Sequence, residues 1–190
     1  MGGCGALDDP CGEEPEGDSS GEVREDWLIL VRNFIDSVWN HEWSEEENLK
    51  FNQQVGAGDR FYVPAGIKTA LAEFCTPTVV RHRRDASGKA IRADGPDDYP
   101  NCVNRVHEVV QDLRLLVDDL TVCDEDVIAL ITMTGRDRRA DGRLDMPGAF
   151  GKPTPTELRF TVPITTAYRI VDGRIAEDWL ITRGTPTYTR

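Results

Sequence analysis

Long runs of alternating apolar and polar residues fill the second half of the chain, and they constrain the fold more than any other feature of the sequence. Alternation with a period of two is typical of a strand that buries one face. A short run of this kind at residues 113–117 is followed by three long ones, at 126–137, 156–171 and 174–183. Asp172-Gly173, between the last two runs, is a strong signal for a two-residue hairpin. We therefore predict an antiparallel sheet in this half.

Helical periodicity dominates the first half. Apolar residues recur at steps of three and four from Trp27, which predicts a helix that continues to about Trp43. A second helix is predicted from Pro64 to Phe74, and a third over residues 99–110. Val79-Val80 begins a short extended piece, and residues 83–98 are predicted to be a loop. Helices followed by antiparallel strands indicate an α+β fold, in which a curved sheet wraps around the helices as a cone with an internal cavity.

Composition bounds the remaining possibilities. The 190 residues fit one domain, and the net charge of −12 is concentrated at the start, where residues 1–26 hold nine acids and one base. We predict a disordered acidic tail over residues 1–22 and a single domain over 23–190. The domain has no basic excess for nucleic acid and no run of about 20 apolar residues for a membrane. An odd number of cysteines, five, without a signal peptide predicts reduced thiols in a cytoplasmic protein.

Four segments, in their order along the chain, resemble the SnoaL-like polyketide cyclases, a family of the nuclear-transport-factor-like cone folds. They cover roughly residues 27–183 and read RNFIDSVWN, FCTPTVVRH, VVQDLRLLVDDLTVCDEDVIALITMTG and GAFGKPTPTELRFTVPITTAYRIVDGRIAEDW. The resemblance implies a cofactor-free protein that closes rings by intramolecular aldol chemistry, since that is the activity of the cyclases. Relatives of the family open or hydrolyse epoxides, isomerise substrates or assist hydroxylation, so the cavity is implied more firmly than the reaction.

One family position departs from the pattern. The resemblance places an acid/base aspartate three residues before Arg169, where this chain has Thr166. A threonine hydroxyl cannot exchange a proton near neutral pH as a tuned carboxylate can. The two-residue period puts Thr166 on one face with Phe160 and Tyr168, and we predict that this face is concave and binds substrate. The alternative is a strand threonine that only packs its methyl group.

Another group must then transfer the proton. His82 matches the family's pocket histidine and shares a strand face with Val80, so we predict it as an acid/base with Asp137 or Asp178 as its acidic partner. The alternatives are a structural histidine and, for Asp137, a solvated hairpin carboxylate. The sequence leaves open whether Glu177 or Asp178 faces inward.

Three further residues are predicted to contact substrate. They are Trp179, His107 and Arg136. Trp179 is expected to pack near the cavity. The alternative for His107 is a position on the helix surface, and the alternative for Arg136 is a place in a solvated run of charges.

Metal and cofactor sites are not predicted. The three histidines, at positions 41, 82 and 107, have no ligand spacing. The chain also lacks a GxGxxG fingerprint, a P-loop lysine and a GxSxG elbow. Together with the resemblance, the sequence therefore predicts a cyclase- or isomerase-type enzyme of natural-product biosynthesis. It would close a ring in a small hydrophobic, polyketide-like substrate by acid/base catalysis, through aldol-type or epoxide-opening chemistry. The alternatives are an epoxide hydrolase of the same fold and a non-catalytic binding module.

Two surfaces carry separate predictions. Residues 44–63 form an unusually long link between helices, which fits a lid over the cone, an extra surface helix or a dimer contact. A homodimer is predicted through the outer face of the sheet, as family cones commonly pair. If Thr166 points inward, that face carries Arg159, Thr161, Pro163, Thr165 and Ala167.

Overall fold

A seven-stranded sheet covered by helices makes up the part of the chain that the structure describes. The computed structural model describes residues 20–54, 62–84, 90–137 and 158–189. The helices are α1 (Ser20–Phe34), α2 (Glu45–Gln54), α3 (Ala65–Phe74) and α4 (Tyr99–Val109). The strands are β1 (Cys75–Arg84), β2 (Ala90–Asp94), β3 (Val110–Cys123), β4 (Asp126–Asp137), β5 (Arg159–Val171), β6 (Arg174–Arg183) and β7 (Thr187–Thr189). None of the described helices is long and apolar enough to cross a membrane.

The strand order is β2-β1-β6-β5-β4-β3, with β7 paired to β5. Strands β3 to β6 form an antiparallel meander, and the predicted bounds of β4 and β6 are confirmed. The predicted hairpin turn is also confirmed, because Asp172 and Gly173 have φ values of 50° and 71°, the left-handed region that a tight hairpin requires. The sheet is curved and does not close into a barrel, so the predicted α+β class is correct.

One pair of strands is parallel. β1 lies before α4 in the chain and pairs in parallel with β6, so that Arg81 lies opposite Asp178. The order of helices followed by strands is therefore not strict. β1 reaches the sheet because α3 ends at Phe74 and the chain continues directly as an extended segment.

Several boundaries differ from the prediction. β2 lies inside the predicted loop over 83–98, and β7 was not predicted. α1 begins at Ser20, inside the predicted tail, while residues 1–19 lie outside the described part of the chain. The α-helical geometry ends at Phe34 and gives way to a π-helical turn over Ile35–Trp39.

The core lies between the concave face of the sheet and the helices. Alternate β5 residues from Phe160 to Ile170 point inward, and Thr166 and Tyr168 share this face as their spacing predicts. α1 covers it with Val31 and Phe34, which are both 0% exposed. Burying a side chain of this size contributes about 1.5–3 kcal/mol to folding.

The side chain of Asn40 ties the end of the π-helical turn to the sheet. The amide oxygen of Asn40 accepts a hydrogen bond from the backbone N–H of Leu115 (2.7 Å), and its amide nitrogen donates to the carbonyl of the same residue (3.0 Å). The Asn40 side chain therefore satisfies both backbone groups of one β3 residue, and it fixes where the helical layer meets the sheet.

We expect Asn40→Ala to lower the free energy of unfolding by about 1–3 kcal/mol, because it leaves two partly buried backbone groups without a partner. Urea unfolding followed by circular dichroism measures the change. Asn48→Ala is the matched control, since the exposed Asn48 amide bonds only the neighbouring carbonyls of Trp43 and Ser44. Equal losses in the two variants would contradict a tie between layers.

Candidate functional site

A buried carboxylate lies at the centre of the concave face. Asp178 of β6 is 1% exposed, and its Oδ2 accepts a hydrogen bond from Nη1 of Arg81 (2.5 Å). Oη of Tyr99, the first residue of α4, donates to the same oxygen at 2.5 Å. We call Arg81, Tyr99 and Asp178 the Asp178 cluster. The parallel pairing of β1 with β6 brings the two charges together, and the start of α4 supplies the phenol.

Burial governs the protonation of this cluster. Burial raises the pKa of the Asp178 carboxyl above its usual value, and the opposing effects of Arg81 and Tyr99 do not offset it. Burial alone would lower the pKa of the Arg81 guanidinium, but the charge of Asp178 holds it well above its usual value. Burial, together with Asp178, also raises the pKa of the Tyr99 phenol, which therefore stays a hydrogen-bond donor.

Aromatic rings surround the cluster. The guanidinium of Arg81 lies 4.6 Å from the Trp39 ring centroid and 5.8 Å from that of Tyr99. Phe34 stacks parallel to Tyr99 at 6.4 Å and meets Tyr168 edge-on at 5.7 Å. Such walls exclude water, so the charges of the cluster act in a low-dielectric medium.

Three polar atoms of this face have no hydrogen-bond partner among the described residues. They are Oδ1 of Asp178, Nε of Arg81 and Oγ1 of Thr166. Buried polar atoms are normally satisfied by protein, water or ligand. A carboxylate oxygen, a cationic N–H and a hydroxyl together can take a proton from a bound molecule and hydrogen-bond to an oxygen that becomes negative.

His82 lies on the opposite face of the sheet. Its Nε2 is 2.6 Å from Oε2 of Glu177, its ring stacks on Trp179 at 5.0 Å, and its side chain is 33% exposed. The expectation that Val80 and His82 face inward is therefore corrected: Val79 and Arg81 are the inward residues of β1. The two-residue period of a strand allows either Val79 and Arg81 or Val80 and His82 to face inward. The pairing with β6 selects the first arrangement, in which Arg81 lies opposite Asp178.

Trp179 also differs from its expected place near the cavity. Asp178 is the inward residue of its segment, so Glu177 and Trp179 point outward. Trp179 lies opposite Ala167 in the β5–β6 register and faces the Arg169 guanidinium at 5.6 Å. The tryptophan thus packs against the convex side of the sheet.

Asp137 is buried, at 0% exposure, so the solvated alternative is wrong for this residue. It does not adjoin Asp178, however. Tyr168 lies opposite both Asp178 and Val127, and Val127 precedes Asp137 by ten residues of the same strand. At about 3.3 Å per residue this is roughly 30 Å along β4. Arg136 lies next to it on the other face, opposite Arg159.

His107 is not a surface residue of α4. Burial lowers the pKa of its imidazole to about 4, a shift that the Trp39 backbone opposes only in part. The ring lies 5.4 Å from that of Trp43, in the segment between the π-helical turn and α2. The imidazole is therefore neutral near pH 7.

Two members of the site, Arg81 and Tyr99, were not predicted from the sequence. Arg81 shares the phase of Val79, which is the one available signal, but the equally apolar Val80 favours the other phase. Tyr99 follows two aspartates at the start of a helix, a place typical of an exposed residue. Among the described residues no three His, Cys, Asp or Glu side chains group as metal ligands do.

We expect His107 to make folding sensitive to mild acid. Its folded pKa of about 4 lies below the unfolded value of 6.5, so the unfolded chain binds the proton more tightly and stability falls as pH drops between these values. The loss is at most about 3 kcal/mol. Urea unfolding at pH 7 and pH 4.5 should show a smaller loss in His107→Phe than in the wild type. His82→Phe is the control, and an equal loss in all three proteins would contradict this origin.

Solved structures resemble this chain throughout the described fold. A protein described as a SnoaL-like polyketide cyclase from Jannaschia sp. CCS1 superposes with a TM-score of 0.51 at 19% identity, covering 88% of this chain and 89% of the other. A second, from Shewanella denitrificans OS-217, gives 0.51 at 14% identity, with coverages of 86% and 92%. AclR from Streptomyces galilaeus, described as a hydroxylase, gives 0.50 at 16% identity, with coverages of 85% and 81%. Identities this low show a shared fold alone.

The sequence itself supplies the assignment to a family. No functionally curated protein matches the chain significantly. The family model of the SnoaL-like polyketide cyclases matches residues 60–183, which hold β1, α4, the meander and the whole Asp178 cluster. Because this match spans well over half of the chain, the protein belongs to the SnoaL-like polyketide cyclase family.

Proposed function

We propose that the protein is a cyclase- or isomerase-type enzyme that acts without a cofactor on a small hydrophobic, polyketide-like substrate. Family membership supports a cyclase-type role. The observation that carries the chemistry is the buried Asp178 carboxylate, which keeps one oxygen unpaired while Arg81 and Tyr99 hold the other.

In the proposed reaction Asp178 is the base. Oδ1 removes a proton from the carbon next to a substrate carbonyl, and the electrons of that C–H bond pass to the carbonyl oxygen as an enolate. The enolate carbon attacks a second carbonyl of the same molecule, and the resulting alkoxide takes back the proton from Asp178. The raised pKa of the carboxyl makes it a stronger base than an exposed aspartate.

Arg81 supports the charge that develops. Its Nε–H is buried and has no partner among the described residues, so it is available to a substrate oxygen. In a water-excluded site, a fixed cationic donor stabilises an enolate more than solvent would. Thr166, in place of the family aspartate, can donate or accept one hydrogen bond but cannot act as a second base. His82 and Asp137 lie outside this cluster, and we propose no proton transfer for them.

We expect Asp178→Asn to slow proton abstraction about 10²–10⁴-fold, the usual contribution of general base catalysis. Exchange of the α-protons of 2-tetralone for deuterium, followed by proton NMR, measures this step without knowledge of the natural substrate. The wild-type rate should fall in acid, with a midpoint above the usual carboxyl range, because the raised pKa keeps Asp178 protonated there.

Glu177→Gln is the matched control, since it removes the adjacent acid from the outer face of the same strand. Its exchange rate should equal that of the wild type. Circular dichroism establishes that both variants fold. A wild-type rate no higher than buffer, or equal losses in the two variants, would refute Asp178 as the base. The first result would favour the non-catalytic binding module or the epoxide hydrolase, which need no C–H abstraction.

The role of α2, as a lid, a surface helix or a dimer contact, is also part of the proposal. α2 occupies residues Glu45–Gln54 of the long link, and its start is a capping box in which Ser44 and Glu47 exchange hydrogen bonds. Leu49 of this helix is 58% exposed, which fits a lid that packs its apolar side against bound substrate as well as it fits a surface helix or dimer contact. A cytoplasmic location stays a prediction.

We further propose a homodimer through the outer face of the sheet. Four of the five predicted outward residues are at least partly exposed, whereas Ala167 is buried. The same face carries two large exposed apolar side chains, Leu116 and Leu130. Light scattering at micromolar concentration should give twice the chain mass, and Leu130→Asp should shift it toward the monomer. A wild-type monomer would refute the dimer.

A further inference from the structure

Two buried acceptor atoms lie on α4, away from the Asp178 cluster. Oδ1 of Asn104 and Nε2 of His107 are shielded from solvent, and neither has a hydrogen-bond partner among the described residues. The two residues are three apart on the helix, so their side chains leave the same side of it, with Cβ atoms about 5–6 Å apart. Two neighbouring acceptor atoms without partners form a site that a hydrogen-bond donor of a bound molecule could satisfy.

The orientation of the Asn104 amide is fixed by its partner. Its Nδ2 donates to the carbonyl of Tyr62 (2.5 Å), and a carbonyl oxygen can only accept, so the amide oxygen is the atom left over. The Asn104 side chain is 0% exposed. Exchanging the two ends of the amide would place two acceptors against each other, which excludes that alternative.

His107 presents a lone pair as well. Its ring is neutral, because burial opposes protonation, and the Trp39 backbone favours a proton on the other ring nitrogen. Nε2 is then an acceptor. The neighbouring titratable groups are His41, whose Nε2 lies 3.5 Å from Oε1 of Glu47, and Arg114, which is paired with Glu42 and the Asn40 carbonyl. Arg114 is therefore already hydrogen-bonded, whereas Nε2 of His41 approaches Glu47 but has no hydrogen bond among the described residues.

The two acceptors lie on the same helix as Tyr99, which hydrogen-bonds to the proposed base. Tyr99 and His107 are eight residues apart on α4, which is about 12 Å along the helix. Trp39 connects the two places, since its ring contacts Arg81 and Tyr99 while its backbone contacts His107. The wall between them is therefore aromatic, and Trp43 continues it beside His107.

We infer that Asn104 and His107 form a second polar subsite that accepts hydrogen bonds from a hydroxyl group of the substrate, further along α4 than Tyr99, the residue that binds Asp178. This inference rests on the proposed function for the identity of the ligand as substrate. It narrows the substrate to an elongated, largely apolar molecule that carries a phenol or alcohol at the end remote from the reacting carbon. A carboxylate in that position would face the lone pairs of Asn104 and His107, which repel its charge.

Binding of three naphthalene probes tests the subsite without any turnover. We expect the wild type to bind 2-naphthol about tenfold more tightly than 2-methoxynaphthalene, as one buried hydrogen bond would provide, and 2-naphthoate no more tightly than the ether. Isothermal titration calorimetry measures the three dissociation constants. Equal binding of naphthol and its methyl ether, as expected if water alone fills the subsite, would overturn the inference.

Variants locate the preference for the hydroxyl group. His107→Phe keeps a ring of similar size but no acceptor, and it should abolish the preference. His82→Phe is the matched control on the outer face and should retain it, as should Asp178→Asn. A preference that persists in His107→Phe but disappears in Asp178→Asn would place the naphthol at the Asp178 cluster and overturn the inference. A wild-type protein that does not exchange the 2-tetralone protons but still prefers 2-naphthol would refute the proposed function and support the subsite.

A measurement on the wild type remains valid if His107→Phe does not fold. Long-range proton–nitrogen NMR resolves the two imidazole nitrogens of His107. Addition of 2-naphthol should shift the Nε2 resonance in the direction of a hydrogen-bonded lone pair, and 2-methoxynaphthalene should not. The same shift with both probes, or none with naphthol, would contradict a hydroxyl donor at this nitrogen.

Discussion

The buried carboxylate of Asp178 is the interaction on which the rest of the structure depends. One of its oxygens binds the guanidinium of Arg81 and the phenol of Tyr99, so three elements, β6, β1 and α4, meet at a single atom. Removing one partner from such a pair leaves an uncompensated buried charge and costs about 3–5 kcal/mol. The parallel docking of β1 and the position of the start of α4 are therefore set by the need to satisfy one desolvated charge.

The two faces of β6 show how strongly the medium decides the role of a residue. Asp178 faces inward and is surrounded by aromatic rings, whereas its neighbour Glu177 faces outward and pairs with His82. The outer pair is partly exposed, and pairs of that kind contribute at most about 1 kcal/mol. The inner carboxyl has a raised pKa and one oxygen that no described residue hydrogen-bonds. Adjacent acids of similar chemistry thus have a solvent-exposed ion pair on one face and a desolvated carboxyl on the other.

The neighbouring Asp178 gives a physical reason for a neutral residue at position 166. Thr166 lies on the concave face opposite Ala129 and Leu180, two residues along β5 from the strand partner of Asp178. A second carboxylate at that position would repel Asp178 in a low-dielectric site and raise the cost of burying either charge. A neutral hydroxyl avoids that cost. In this chain the buried carboxyl nearest to Thr166 in the strand register belongs to β6.

The sequence by itself determined the elements, because local patterns encode them. The alternation from Asp126 to Arg183 and the Asp172-Gly173 turn specify two strands and a hairpin that the structure reproduces. The spacing also identified the inward face of β5, since a single buried phase fits its long apolar run. Asp178 could be proposed, with Asp137, as the acidic group of the site. The sequence alone did not show whether Asp178 or its neighbour Glu177 faces inward.

Only the tertiary structure decided which side of each short strand is buried. Around Val79 and Val80 both phases are equally apolar, and the register against β6, set by the attraction of Arg81 to Asp178, turned His82 outward. Tyr99 and His107 acquired their surroundings in the same way, because α4 docks with contacts remote in sequence. A two-residue period states that the faces of a strand differ; which face becomes the interior depends on long-range pairing, and no local pattern contains that information.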